Sequence, residues 1–278
     1  MTAVSVGPFA FPVPVALVAL ALAVMLLTAW LADRRQGSQV ETIVWQAALA
    51  ALLVGRGVFV LQYIQVYARQ PLGMLDLRDG GFSAGAGLFT ATLVLAWHVW
   101  RHAASRRGLL LTAVAGASAT GIAYAVLQLS FPPPRQLDNV PMTTLNGDTV
   151  STDDFHGKPT VINLWASWCP PCRREMPAFQ EGQANNPDIR FVFANQQESA
   201  DIVQNWLDAE GLDLDNVLLD ASGRLADNVG SRGLPTTLFL DEQGRLVTVR
   251  MGELSSATLQ NHLNTLRAGA DTGALRKD

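Results

Sequence analysis

Two cysteines stand three positions apart, in Trp165-Ala166-Ser167-Trp168-Cys169-Pro170-Pro171-Cys172, and the chain has no others. A lone Cys-x-x-Cys has two chemical readings, half of a zinc site or a redox dithiol. The zinc reading needs two further ligands. The segment around the pair offers only His156 and His262, and neither has motif spacing to it. In the redox reading, the two intervening residues bring the sulfurs within bridging distance. A helix opening at the pair would present free N–H groups and a partial positive charge to the first sulfur. That favours a thiolate at Cys169 and lowers its pKa below that of a free cysteine. Cys169 is then the exposed nucleophile, and Cys172, a turn inward, is the resolving thiol that breaks the mixed disulfide. Pro170 and Pro171 fit a first helical turn and stiffen the loop.

A second element lies about sixty residues downstream, Gly233-Leu234-Pro235-Thr236-Thr237. It resembles the cis-proline loop of the thioredoxin superfamily. The resemblance implies that Pro235 packs opposite the dithiol and that Leu234 offers backbone groups to an extended substrate. Taken from the residues alone, Pro235 is equally an ordinary strand-entry proline. Within that superfamily, the stretch from Val161 through Cys172 to Arg173-Arg174-Glu175-Met176-Pro177, with the segment Gln197–Asn228 ahead of Pro235, is most similar to the membrane-tethered TlpA, ResA and CcmG (DsbE) thiol–disulfide reductases. The likeness implies an enzyme that reduces protein disulfides without a cofactor. It also implies two kinds of protein partner: periplasmic substrates with disulfides, and a membrane electron donor of the DsbD or CcdA type. Thioredoxins often carry Asp where this chain has Asn163, and a neutral amide cannot act as a buried base. Glu175, one turn beyond Cys172, is either a substitute for it or a solvated acid at the helix start. Trp168 is expected to shape the surface around the dithiol.

Strands and helices must position these groups. Pro159–Trp165 reads as a buried strand leading into the motif, and Pro171–Gln183 as the helix that follows. Ile189–Ala194 and Val217–Leu219 read as strands on either side of a helix from Ser199 to Glu210. Thr236–Leu240 and Arg245–Val249 form a hairpin, and Ser255–Arg267 a closing helix. Asn146-Gly147 marks an earlier hairpin turn. Strands alternating with helices, then a hairpin and a helix, define an α/β fold with a central mixed sheet of thioredoxin type.

The composition divides the chain. Of 278 residues 49% are hydrophobic and only 16% charged, against a formal net charge of −4. Charged residues make up about 25% of an ordinary soluble domain. Residues 1–132 carry a net +4 and the remainder −8. Nucleic-acid binding is excluded as a class, because the polar half is acidic and has no basic stripe. The basic half holds four apolar stretches, about Pro12–Leu31, Thr42–Ile64, Phe82–Trp100 and Leu109–Leu129, each on the order of 20 residues, enough to cross ~30 Å of hydrocarbon as a helix. No Lys or Arg precedes the first, so it reads as a retained helix rather than a cleaved signal. Arg34, Arg35, Arg101, Arg106 and Arg107 follow stretches one and three, against Arg69 and Arg78 in the loop between two and three. Basic loops mark the cytoplasmic side. Four spans then place both the N-terminus and the polar half in the periplasm, with the protein multi-pass in the bacterial inner membrane.

Arg56 lies inside the second stretch, either as a contact to lipid phosphate or a partner, or as a cation satisfied by neighbouring carbonyls. The segments Arg56–Tyr63, Gln70-Pro71-Leu72 and Gly80-Gly81-Phe82-Ser83 resemble the early part of prolipoprotein diacylglyceryl transferase (Lgt). That family's His position falls on Gly85, and no arginine occurs between Gly108 and Ser130. The resemblance therefore implies a truncated relative without transferase chemistry, kept as an anchor or docking platform in contact with membrane lipid. The organisation expected is a four-helix membrane domain over residues 1–129, a Pro-rich linker over 130–136, a thioredoxin-like domain over 137–268 and a polar tail over 269–278. The function expected is a membrane-anchored periplasmic thiol–disulfide oxidoreductase acting as a reductase. Competing readings are a factor specific to cytochrome c maturation, a lipid-modifying transferase with a redox appendage, and a binding module that uses the fold only for docking.

Overall fold

The protein is described here by a computed structural model, in residues 3–6, 9–36, 39–68, 71–77, 79–101, 106–130 and 136–274. The expected linker prolines Pro132–Pro134, together with Arg69, Gln70 and Arg78, lie outside the described residues. The chain divides into two compact units. One comprises Met1–Pro12, Leu75–Gly80 and Pro133–Asp278, the other Val13–Met74 and Gly81–Pro132.

The chain opens with a short antiparallel pair, β1 (Ala3–Val6) and β2 (Phe9–Pro12). The helical unit follows: α1 (Val13–Gln36), α2 (Val40–Gln62), the single turn α3 (Ile64–Tyr67), α4 (Ala84–Arg101) and α5 (Arg106–Ser130). Three stretches, Ala16–Arg34, Val40–Gln62 and Arg106–Val126, are long and apolar enough to cross a membrane. The expected third span is the helix α4, but it is only 18 residues long and its last turn holds His98 and Arg101. It therefore falls short of the other three. The outer surfaces of these helices expose Leu53, Leu88, Leu111 and Ile122, an apolar coat suited to hydrocarbon rather than water.

Small residues let α2 and α4 pack closely. A Cβ on Gly55 would lie 3.2 Å from the Ser83 carbonyl, and one on Gly87 would lie 3.2 Å from the Ala51 carbonyl. Arg56 is satisfied by carbonyls. Its guanidinium donates to Met74 O (3.1 Å), Gly73 O (2.9 Å) and Gly81 O (2.7 Å), so it organises the chain leaving and re-entering this unit.

The second unit contains a seven-stranded sheet in the order β4-β3-β7-β6-β5-β8-β9. Its strands are β3 (Pro141–Thr144), β4 (Thr149–Ser151), β5 (Thr160–Trp165), β6 (Arg190–Gln196), β7 (Val217–Asp220), β8 (Thr236–Leu240) and β9 (Leu246–Met251). The β3–β4 hairpin turns at Asn146-Gly147, with Gly147 at φ 93°, a conformation that costs glycine no side-chain clash. β5, β6 and β7 are parallel, while β3, β8 and β9 run antiparallel to their neighbours. The mixed sheet is thus the one expected.

α6 (Pro170–Asn185) connects β5 to β6, and α7 (Ala200–Glu210) connects β6 to β7. α8 (Arg224–Asn228) precedes β8, and α9 (Ser256–Ala274) closes the unit. α9 continues past Arg267 into the segment expected to be a polar tail, because no proline interrupts Ala268–Ala274. Alternate residues of β5 point to opposite faces of the sheet, as the period of a strand requires. Val161 and Trp165 join Phe179, Phe191, Phe193, Leu259 and Leu263 on one side. Ile162 and Leu164 join Val192, Leu218, Leu225 and Leu238 on the other. The sheet is sandwiched between two cores, and the first contains both cysteines.

Candidate active site

β5 ends at Trp165, and the turn Ala166–Cys169 carries the chain into α6, closed by a bond from the Cys169 N–H to the Ala166 carbonyl (3.2 Å). Cys169 is the N-cap of α6, with Pro170 and Pro171 in its first turn. Neither proline wastes a donor there, because the first N–H groups of a helix have no intrahelical partner. The Cys169 Sγ accepts the free N–H of Cys172 (3.3 Å). With prolines in the first two positions, the Cys172 N–H is the donor that α6 turns toward the first sulfur. Cys169 and Cys172 are joined in a disulfide.

Exposure differs from expectation at one point. Cys169 is only 3% exposed in this bridged form, whereas Trp168 beside it is 68% exposed. The core formed with Met176 and Phe179 draws both cysteines inward, and the indole is left as the projecting group.

Pro235 follows a cis peptide bond from Leu234 and is buried. The antiparallel register sets Thr236 of β8 opposite Leu164 of β5. Pro235 therefore lies beside the end of β5 from which the dithiol turn departs. Leu234 packs, partly buried, on the core that contains both cysteines.

Glu175 is 1% exposed, which removes the reading of a solvated acid at the helix start. Its two carboxylate oxygens accept from the Asn163 side-chain amide (2.7 Å) and the Leu254 backbone N–H (2.9 Å). Burial pushes its pKa up from 4.5 to about 8 against the pull of those two donors, and Glu253 nearby adds to the rise. Asn163 is 0% exposed and also reaches Thr237 Oγ1 (3.3 Å), while its own Oδ1 is buried without a partner. Asn163 and Glu175 thus form one buried polar pair, one turn of helix from Cys172. The sequence could not show the Leu254 contact, which comes from 79 residues away.

The outer side of α6 is held by ion pairs, Arg173 to Glu210 (2.6 Å) and Arg174 to Glu253 (2.6 Å). Another carboxylate escaped the sequence reading altogether. Glu198, just beyond β6, accepts from the Ser167 N–H (2.7 Å), the Ser167 hydroxyl (2.5 Å) and the Asn195 amide (2.7 Å). His262, one of the two histidines weighed as metal ligands, instead stacks on Phe239 at 4.8 Å. Burial lowers its pKa to about 4, so it is a neutral core group at ordinary pH.

A sheet flanked by helices, with a bridged Cys-x-x-Cys at a helix N-terminus and a cis-proline beside it, defines a thioredoxin-type redox domain. Residues 131–265 match the Redoxin family. Thioredoxin-like protein YneN of Bacillus subtilis is 30% identical over 164 residues, which cover 56% of this chain and 95% of YneN. Thiol-disulfide oxidoreductase ResA of Halalkalibacterium halodurans is 28% identical over 137 residues, 49% of this chain and 77% of that protein. Among solved structures, a secreted Mycobacterium tuberculosis disulfide oxidoreductase homologous to E. coli DsbE is 26% identical, covers 45% of this chain and 95% of its own, and has a TM-score of 0.41. The chain belongs to the redoxin family of thioredoxin-like proteins. It is a thiol–disulfide oxidoreductase.

Proposed function

We propose that the protein is a membrane-anchored, periplasm-facing protein-disulfide reductase. The observation that carries this reading is the Cys169–Cys172 bridge at the N-terminus of α6, one turn from a buried carboxyl whose pKa of about 8 nearly matches that of a thiol. In the reduced protein, the Cys169 thiolate attacks a sulfur of the substrate disulfide. A mixed disulfide forms and one substrate thiolate leaves. Glu175 takes the proton from Cys172, whose thiolate attacks the Cys169 sulfur. The second substrate thiolate departs, the Cys169–Cys172 bridge is restored, and two electrons have passed to the substrate. A carboxyl whose pKa lies near 8 gains and loses its proton close to neutral pH, as a proton carrier for the resolving step must. Leu234 and Pro235 line the substrate side, where the Leu234 backbone meets an extended segment, and Trp168 supplies exposed apolar surface.

In this reading residues 1–129 form an Lgt-like anchor of four spans, α4 being the short one, without transferase chemistry. Residues 130–136 are the linker to the catalytic domain that begins at 137, whose closing helix α9 runs to Ala274. A donor of the DsbD or CcdA type would bring the dithiol electrons from the cytoplasm. The arginine distribution supports an outside location for the domain. A reporter fused after Asp278 is expected to be active only as a periplasmic fusion, and a fusion active in the cytoplasm would overturn the topology.

Direction is tested in cells. The pair should be mostly reduced in wild type and become oxidised when the carrier is deleted, as read by thiol trapping of the whole protein. Related dithiols span a wide range, from ~−270 mV in thioredoxin to ~−120 mV in the oxidant DsbA, so the readout separates the two directions. A pair found oxidised in wild type and indifferent to the carrier would make the protein an oxidase.

A further inference from the structure

The dithiol turn is held from outside its own helix. Both oxygens of the Glu198 carboxylate are used on it, Oε2 by the Ser167 N–H (2.7 Å) and Oε1 by the Ser167 hydroxyl (2.5 Å). Oε2 also accepts the side-chain amide of Asn195 (2.7 Å), a fully buried residue of β6. Asn195 pairs with Trp165, the last residue of β5. One carboxylate thus ties together the outgoing ends of two adjacent strands, two residues ahead of Cys169.

The approach to Glu198 is itself unusual. Gln197 has φ 63°, left-handed for a residue with a side chain, and its N–H is bonded to the Asp220 carbonyl (3.1 Å). Non-glycine residues in that region persist only where their surroundings over-determine them, and they gather at functional sites. Here the reversal at Gln197 follows directly on the end of β6 at Gln196, and Glu198 comes next with its carboxylate on the β5 turn.

We propose that Glu198 is a positioning residue for the dithiol: by fastening Ser167 to the end of β6, it holds the Cys169 sulfur at the N-cap of α6, where the helix stabilises the thiolate. Without the clamp, the Ser167 N–H and the Asn195 amide lose their acceptor. The turn then keeps the bond between its own ends and the bonds of Cys169 to the first turn of α6, but nothing that ties Ser167 to β6. The sulfur spends less time against the Cys172 N–H and the positive end of the helix, and the thiol becomes harder to ionise.

The direction of that change is diagnostic. A carboxylate acting on the sulfur only through its charge would oppose the thiolate, so its removal would make Cys169 easier to ionise. Removal of a clamp makes it harder. The other charged groups on α6 are unaltered by the substitution: Glu175 is held by Asn163 and Leu254, Arg173 by Glu210 and Arg174 by Glu253, while Glu181 lies nine residues beyond Cys172.

The test uses the detergent-solubilised full chain in a Cys172→Ser background, so that Cys169 is the only thiol. The rate of iodoacetamide alkylation is followed against pH. Glu198→Ala should move the profile to higher pH and slow alkylation at pH 6 by about three- to tenfold, the size of a lost helix-terminus interaction. Ser167→Ala should move it the same way by less, since the backbone donor remains. The double variant should go no further than Glu198→Ala alone, because both remove one interaction. A profile that stays in place or moves to lower pH in Glu198→Ala would overturn the proposal, as would additive shifts. If Glu198→Ala does not unfold cooperatively, Ser167→Ala decides alone, and an unchanged profile there overturns it. Thiol ionisation needs neither a substrate nor a donor, so the result stands apart from the direction of electron flow.

Discussion

Cys169→Ser should lose disulfide exchange entirely, whereas Cys172→Ser should keep the attack and stall afterwards as a mixed disulfide with substrate. The asymmetry follows from position on one helix. The Cys169 sulfur sits at the N-cap and accepts the Cys172 N–H, so it gains the partial positive charge of the helix end. Cys172 is 0% exposed, inside the first turn, so Cys169 at the N-cap is the outer of the two sulfurs. With serine at 169 there is no nucleophile at the helix end, and turnover falls to the uncatalysed background. With serine at 172 the first step proceeds but nothing resolves it. Non-reducing electrophoresis of the two variants after exposure to a disulfide-bonded protein reads both outcomes. Mixed disulfides that accumulate through Cys172 in Cys169→Ser, and not through Cys169 in Cys172→Ser, would reverse the roles.

How much of this site the sequence reveals depends on how local each contact is. The dithiol, its prolines and the strand before it are contiguous, so their spacing alone implies a thiolate at a helix start. The β3–β4 hairpin is legible for the same reason, because Asn146-Gly147 fixes its turn within four residues. Pro235 is legible only through resemblance, since its place beside β5 comes from pairing across some seventy residues. Glu175 shows the limit of local reading. Its spacing from Cys172 puts it on the cysteine face of α6, but its burial depends on Leu254, at the far end of the chain. Glu198 carries no local signal at all, because its function lies in a bond to a different strand end. In the helical unit, hydropathy locates α1, α2, α4 and α5, yet the last turn of α4 holds His98 and Arg101, which a count of apolar stretches passes over. Arg56 has two readings until the carbonyls of residues 73, 74 and 81 are seen around it.

Glu175→Gln should separate activity from stability. The group's pKa is raised from 4.5 to about 8 in the folded protein, chiefly by burial. Below about pH 4.5 the carboxyl is neutral in the folded and unfolded chains alike, and it costs nothing. Between 4.5 and 8 the unfolded chain gives up the proton while the folded chain retains it, so stability falls as pH rises. Above 8 the folded protein carries the whole penalty of a buried carboxylate, on the order of a few kcal/mol. Glutamine keeps the shape and stays neutral throughout. Its variant should match wild type at pH 4 and unfold several degrees higher at pH 8.5 in thermal denaturation of the detergent-solubilised chain. The unpartnered Oδ1 of Asn163 favours the substitution, because a turned-over Asn163 amide can accept from the new side-chain N–H. Activity should move the other way. Without a group that exchanges a proton with Cys172, the resolving step slows by about 10²- to 10⁴-fold, the usual worth of a positioned acid–base. Mixed disulfides should then persist even with both cysteines present, and the rise in rate with pH through about 8, where Glu175 becomes ionised and able to accept a proton, should disappear. A Glu175→Gln protein that turns over at the wild-type rate would take the carboxyl out of the proton path. One whose stability tracks wild type from pH 4 to 8.5 would show that burial does not hold the proton on Glu175.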